Sequence, residues 1–140
     1  MHKLAPIAVA MMCALPAVAV QAQEADQSAA GVAAAEAWFV LADAGEGAQS
    51  WNAAGADFRR AVSQDQWAAA LQAVRAPLGA VKSRKLVTAQ PARTVQGLPD
   101  GEHVVLQYQT AYANRAGVGE TVVATRQADG SWKMNTYRIQ

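Results

Sequence analysis

Arg75, Arg84 and Glu120 are the side chains of this 140-residue chain whose types and placement point most directly to chemistry. A guanidinium carries a planar fork of N–H donors that matches a carboxylate through two parallel bonds. Arg75 falls beside an apolar helical stripe and Arg84 in a strand-like segment, so either can meet Glu120 if that helix packs on a sheet. Two readings follow. The group is a buttress that fixes the passage from helix to sheet, or its arginines line a cleft and hold an anionic ligand.

Other reactive constellations are poorly supplied. A Ser–His–Asp or Cys–His arrangement needs a histidine, and His103 is the one that remains outside the first few residues. It lies two residues after Gly101 at the start of a strand-like run, which reads as a solvated edge position. No catalytic residue is assigned. Zinc and copper sites want several His or Cys ligands, calcium wants clustered carboxylates, and the eleven acids are scattered, so no metal is expected. No glycine-rich loop suggests a nucleotide, and no cofactor is expected. The basic run Lys82-Ser83-Arg84-Lys85 is divided between two faces by strand alternation and has no aromatic platform, so nucleic acid is not an expected partner.

Residues 1–22 read as a cleavable export signal: His2 and Lys3 open it, Leu4 to Val20 are almost uninterruptedly apolar, and Val20-Gln21-Ala22 places small residues at −3 and −1. Pro6 and Pro16 interrupt a run of about 17 residues, short for a permanent span. The residues before Cys13 lack a lipoprotein pattern, so this cysteine reads as part of the discarded signal. The expected location is periplasmic or secreted, without stable membrane insertion after cleavage. Cleavage leaves 118 residues, eleven basic and eleven acidic side chains, and no cysteine. Such a chain has no net charge to draw in a polyanion and no disulfide to hold it, so its core must stabilise it.

Residues 23–31 read as a flexible leader and 32–140 as a single α+β domain. Ala34, Trp38 and Leu41, widened by Val32 and Phe39, predict an amphipathic helix over 31–44, ended by Gly45 and Gly47. Trp51, Phe58 and Val62 predict one short helix or two broken at Gly55. Ser63-Gln64-Asp65-Gln66 has the capping-box form, and Trp67, Leu71, Val74 and Leu78 follow at steps of four, three and four until Pro77 and Gly79 close the helix. Beyond Gly79 the period falls to two. Strands are predicted over 80–90, 103–112, 119–127 and 131–139, with turn signals at Asp100-Gly101 and Asp129-Gly130. Helices first and an antiparallel four-stranded sheet afterwards is an α+β order. The four tryptophans, at 38, 51, 67 and 132, sit at periodic apolar positions or strand starts and are expected in the core.

Several residues in order then resemble one family: Asp43-x-Gly45 with Ser50-Trp51, Trp67, Arg75-x-Pro77-Leu78-Gly79 with Ser83-Arg84, Asp100-Gly101, Glu120-Thr121 and Asp129-Gly130-x-Trp132. The chain is identified over about 33–140 as similar to the domain-of-unknown-function 4019 family of exported bacterial proteins. This chain departs from the family pattern at Gly47, where an aromatic is usual. The resemblance implies a cone of the NTF2-like or cystatin-like kind, with helices over one face of a curved antiparallel sheet. It brings no reaction, ligand or catalytic residue.

The expectation is a non-enzymatic binding or interaction module whose ligand-binding candidates are Asp43, Arg75, Arg84, Tyr108 and Glu120. Its partner would be a small molecule or an envelope protein, and a homodimer acting as a structural envelope component is a further reading. The alternative, drawn from the NTF2-like resemblance, is a cofactor-free isomerase or hydratase. It would use Asp43 or Glu120 with one of Tyr108, Tyr112 and Tyr137 in a pocket. Asp43 itself, at a helix C-terminus beside Gly45, reads more simply as a loop-ordering acceptor.

Overall fold

A computed structural model describes residues 16–140; residues 1–15, with Cys13 and most of the export signal, lie outside the described part. Four helices precede four strands: α1 (Pro16–Asp43), α2 (Gly47–Asn52), α3 (Ala56–Ala61), α4 (Gln64–Leu78), β1 (Val81–Ala92), β2 (His103–Tyr112), β3 (Arg115–Arg126) and β4 (Trp132–Ile139). The strands form one antiparallel meander in the order β1-β2-β3-β4. The chain is therefore an α+β protein with its N-terminal helices packed on a four-stranded antiparallel sheet. No described helix is long and apolar enough to cross a membrane.

Residues 23–31 are not a loose leader, since all of them belong to α1. Their alanines, glutamines and Glu24 are good helix formers, and the last residue makes the contact. At Gly31 an added Cβ would lie 2.7 Å from Val104 Cβ, so the missing side chain lets α1 settle directly on β2. The buried stripe runs Ala35, Trp38, Phe39 and Ala42, slightly rotated from the expected one, with Ala34 and Leu41 at its margin. The helix stops in a left-handed Gly45 (φ 75°), where Glu46 N donates to Leu41 O at 3.0 Å and Gly45 N to Ala42 O at 3.1 Å. This Schellman closure satisfies carbonyls that the helix end would otherwise leave open.

Gly55 separates α2 from α3, and its N–H donates to Met134 O, tying that break to β4. Ser63 caps α4 as expected: its Oγ accepts from Gln66 N and Gln66 Oε1 accepts from Ser63 N, both at 3.2 Å. Trp67, Leu71 and Leu78 are buried, whereas Val74 is 42 % exposed because α4 packs mainly on α2 and stands off the sheet at that point. Trp38 and Trp67 are in the core, while Trp51 and Trp132 pack against it half-buried. Three indole N–H groups find acceptors inside the protein: Trp38 to Ser50 O, Trp67 to Ser50 Oγ and Trp51 to Val62 O.

β2 matches its expected span and faces: Val104, Leu106, Tyr108, Thr110 and Tyr112 point into the core, Gln107 and Gln109 out. β3 begins at Arg115, four residues earlier than expected, because Ala113-Asn114 make a two-residue turn between the paired Tyr112 and Arg115. The same turn closes α4. Asn114 N donates to Leu78 O at 2.9 Å, Ala113 N to Ala80 O at 2.7 Å and Asn114 Nδ2 to Pro77 O at 3.1 Å. His103 is also placed differently from expectation. It is 2 % exposed, with Nδ1 2.8 Å from Thr125 Oγ1 and Nε2 2.9 Å from Pro99 O. The loop between β1 and β2 folds over the outer sheet face at this point and removes the ring from water.

Candidate functional site

Six elements converge at one end of the sheet. The Schellman turn leaves Asp43 at the end of α1, α4 contributes Arg75, β1 Arg84, β3 Glu120, and the inward face of β2 Tyr108, Thr110 and Tyr112; β4 adds Tyr137. Sheet register explains the reach. Arg84 pairs with Thr110 across β1 and β2, and Tyr108 with Glu120 across β2 and β3, so the guanidinium spans one strand to find the carboxylate.

Arg84 Nε donates to Glu120 Oε1 at 2.9 Å, while its Nη1 and Nη2 donate to Asp43 Oδ2 at 2.7 Å and Oδ1 at 3.0 Å. Arg75 Nη1 donates to Asp43 Oδ1 at 2.7 Å, and its Nη2 lies 3.6 Å from Glu120 Oε2 and donates to Tyr137 OH at 3.2 Å. Thr110 Oγ1 also donates to Glu120 Oε1, and the hydroxyls of Tyr112 (2.9 Å) and Tyr137 donate to Oε2. The guanidiniums are stacked as well as bonded: Arg84 Cζ lies 3.6 Å from the Phe39 ring centre, and Arg75 Cζ 5.3 Å from that of Tyr112.

Electrostatics follows from this cage. Burial opposes ionisation of Glu120, yet the hydrogen bonds from Arg84, Thr110 and Tyr137 outweigh it and hold the carboxyl below its ordinary range. Asp43 behaves alike: burial raises it, and the hydrogen bonds from Arg84 and Arg75 bring it down. Arg84 rises in spite of burial through its bonds to Asp43 and Glu120. Burial and the Glu120 charge push Tyr137 well above the usual phenol range, so it stays a donor. At neutral pH the cluster is two arginine cations locked to two carboxylates, ringed by neutral hydroxyls.

Access differs among the members. The Glu120 side chain has no exposure, the two arginines 12 % each and Asp43 26 %. An acid and two phenols do meet here, as the isomerase or hydratase reading requires, but the acid has no exposed side-chain surface and both its oxygens are occupied. The expected arginine–Glu120 pairing is present. Asp43 orders more than its own loop, since it binds both arginines. Tyr108 is beside the cluster and outside its bonding: its hydroxyl is buried and has no hydrogen-bond partner among the described residues, and burial together with the Glu36 carboxylate pushes its pKa up to about 12.

Thr110, and the convergence of both Tyr112 and Tyr137 on one oxygen of Glu120, are not announced by the sequence. Period-two alternation already put 108, 110 and 112 on one face of β2; the missing step was the register that sets Glu120 opposite them. Among the described residues no group of three His, Cys, Asp or Glu side chains could hold a metal ion. Lys82, Ser83 and Lys85 are solvated along β1, and Arg84 alone of that run turns inward.

The sequence model of a family described as "Protein of unknown function (DUF4019)" matches residues 34–137, most of the chain. The protein belongs to this family of α+β domains of unknown function. Neither a curated protein nor a solved structure gives a significant match. The match begins inside α1 and ends inside β4, so it contains the whole Asp43–Arg75–Arg84–Glu120 cluster. At Gly47, where the family pattern was expected to show an aromatic, an added Cβ would lie 2.7 Å from Ala68 Cβ. In this chain the close contact of α2 with α4 leaves no space for any side chain there.

Proposed function

We propose that this protein is an exported, periplasmic or secreted, non-enzymatic binding module. Its ion-pair cluster holds the scaffold, and its ligand or partner docks on the clefts beside that cluster. The observation that carries this reading is the saturation of Glu120. A carboxylate that accepts from Arg84, Thr110, Tyr112 and Tyr137, with no exposed side-chain surface, is a poor proton shuttle and a good tie between strands. Helices lying over one face of the sheet also suit the NTF2-like or cystatin-like cone, in which the space between helices and sheet receives a guest.

The second reading, a cofactor-free isomerase or hydratase, is favoured by one observation: Tyr112 and Tyr137 converge on the single buried carboxylate. A thermal-shift screen of small molecules against the full chain, followed by chemical recovery of every compound that stabilises it, separates the two. A binding module stabilises with its ligand and returns it unchanged. Conversion of any such compound, abolished by Glu120→Gln or Tyr137→Phe, would establish the enzyme instead, and a chain that nothing stabilises contradicts the binding reading.

A further inference from the structure

A cleft of about 290 Å³ lies between α1 and β1, walled by Glu36, Phe39 and Val40 on the helix, Leu86 and Arg84 on the strand, and Tyr108 from β2. Its size is at the low end of ligand pockets, roughly 300–1,000 Å³, so its guest must be small. Tyr108 is 3 % exposed and its hydroxyl has no hydrogen-bond partner among the described residues. A buried orphan hydroxyl costs free energy unless something satisfies it. The charges around it are unbalanced. Arg84 is committed to the cluster: each of its three nitrogens donates to Glu120 or Asp43, and its flat face covers Phe39. Glu36, an exposed carboxylate on the cleft wall, pairs with no cation among the described residues. Val40 is 69 % exposed and Leu86 36 %, giving the cleft an apolar lip.

An anion entering here would face the carboxylates of Glu36 and Asp43, and Arg84, the cation on the cleft wall, already serves Asp43 and Glu120. We propose that this cleft binds a small primary amine as its ammonium form, with Glu36 accepting one N–H, the Tyr108 hydroxyl oxygen accepting a second, and Val40 and Leu86 covering the alkyl chain. The pairing uses the two polar groups of the cleft that lack partners and leaves the four-residue cluster intact. This inference rests on the binding-module reading and gives its ligand a chemical class.

NMR titration of the isotope-labelled full chain with butylamine, butyrate and 1-butanol at pH 7 tests it. Butylamine is expected to shift the signals of Glu36, Leu86 and Tyr108 saturably, while butyrate and butanol leave them in place. Glu36→Gln and Tyr108→Phe should each weaken butylamine about tenfold, the loss expected for one good hydrogen bond to a charged group. Tyr108→Phe should keep or raise the melting temperature, because the hydroxyl it removes has no partner. Butyrate or butanol binding as well as butylamine would overturn the amine assignment and leave the binding module standing. Butylamine binding unchanged in both variants, no butylamine binding at all, or a Tyr108→Phe chain that melts several degrees lower would overturn it too. The binding-module reading fails separately, on an empty thermal-shift screen.

Discussion

Arg84 on the edge strand reaches across β2 to Glu120 on β3, its Nε 2.9 Å from Oε1, and the same guanidinium grips Asp43 at the end of α1. One side chain thereby ties the sheet to the helix that covers it. Removing one partner of such a buried pair strands the other, which is why the loss exceeds what the pair contributes net.

Glu120→Gln is therefore expected to cost about 3–5 kcal/mol of stability. In double-mutant cycles, Arg84→Ala should couple to it by roughly 1 kcal/mol or more, and Arg75→Ala by less, because Arg75 lies at 3.6 Å. Denaturant melts of the single and double variants measure both. Simple additivity in both cycles would reject the buttress.

Acid should dismantle the same cluster. Asp43 and Glu120 both have folded-state values below their unfolded ones, about 3.9 and 4.3. Between the folded and unfolded values the unfolded chain binds more protons, so stability rises with pH there. The contribution is complete above about pH 5 and is lost as pH falls through the folded values, below about 4. Melting curves from pH 3 to 7 should show this slope in the native chain and a shallower one in Glu120→Gln.

Leu71→Ala should cost roughly 2–5 kcal/mol, since Leu71 is 3 % exposed on the buried side of α4. Val74→Ala, one helical turn on and 42 % exposed, should stay within about 1 kcal/mol. Equal effects would mean that α4 sits flush on the sheet. Periodicity alone treats the two positions alike, because a step of three or four reports which side of a helix is apolar and not how closely its neighbour approaches.

The same distinction governs the rest of the reading. Capping boxes, glycine stops and strand alternation are local, so α4, β2 and the break at Gly55 were legible in the residues themselves. The pairing of arginine with Glu120 followed from supposing that the helix meets the sheet. Burial of His103 was not legible, because it depends on the ten-residue connection 93–102 between β1 and β2 folding back over the outer face. Nor was the helical state of 23–31, where weak hydrophobicity hid a segment held by tertiary contact at Gly31. The short turn at Ala113-Asn114 lacks the Asn-Gly or Asp-Gly signal, so no local residue announces it.

Gly31→Ala tests that contact. Its new methyl would sit 2.7 Å from Val104 Cβ, so α1 must shift, at a cost of about 1–3 kcal/mol. Adding Val104→Ala should recover part of the loss. A double variant that is simply the sum of the two would show that α1 is held elsewhere.

The most direct measurement is the ionisation of Glu120 itself, followed through its side-chain carboxyl carbon by NMR as pH is varied. A saturated structural carboxylate takes up its proton below the ordinary glutamate value of about 4.3, so its signal should stay flat from neutrality to about pH 5 and move only at lower pH. A carboxyl that picks up its proton near pH 6 or 7 would be one poised for proton transfer, and would contradict the view that this cluster holds the fold together.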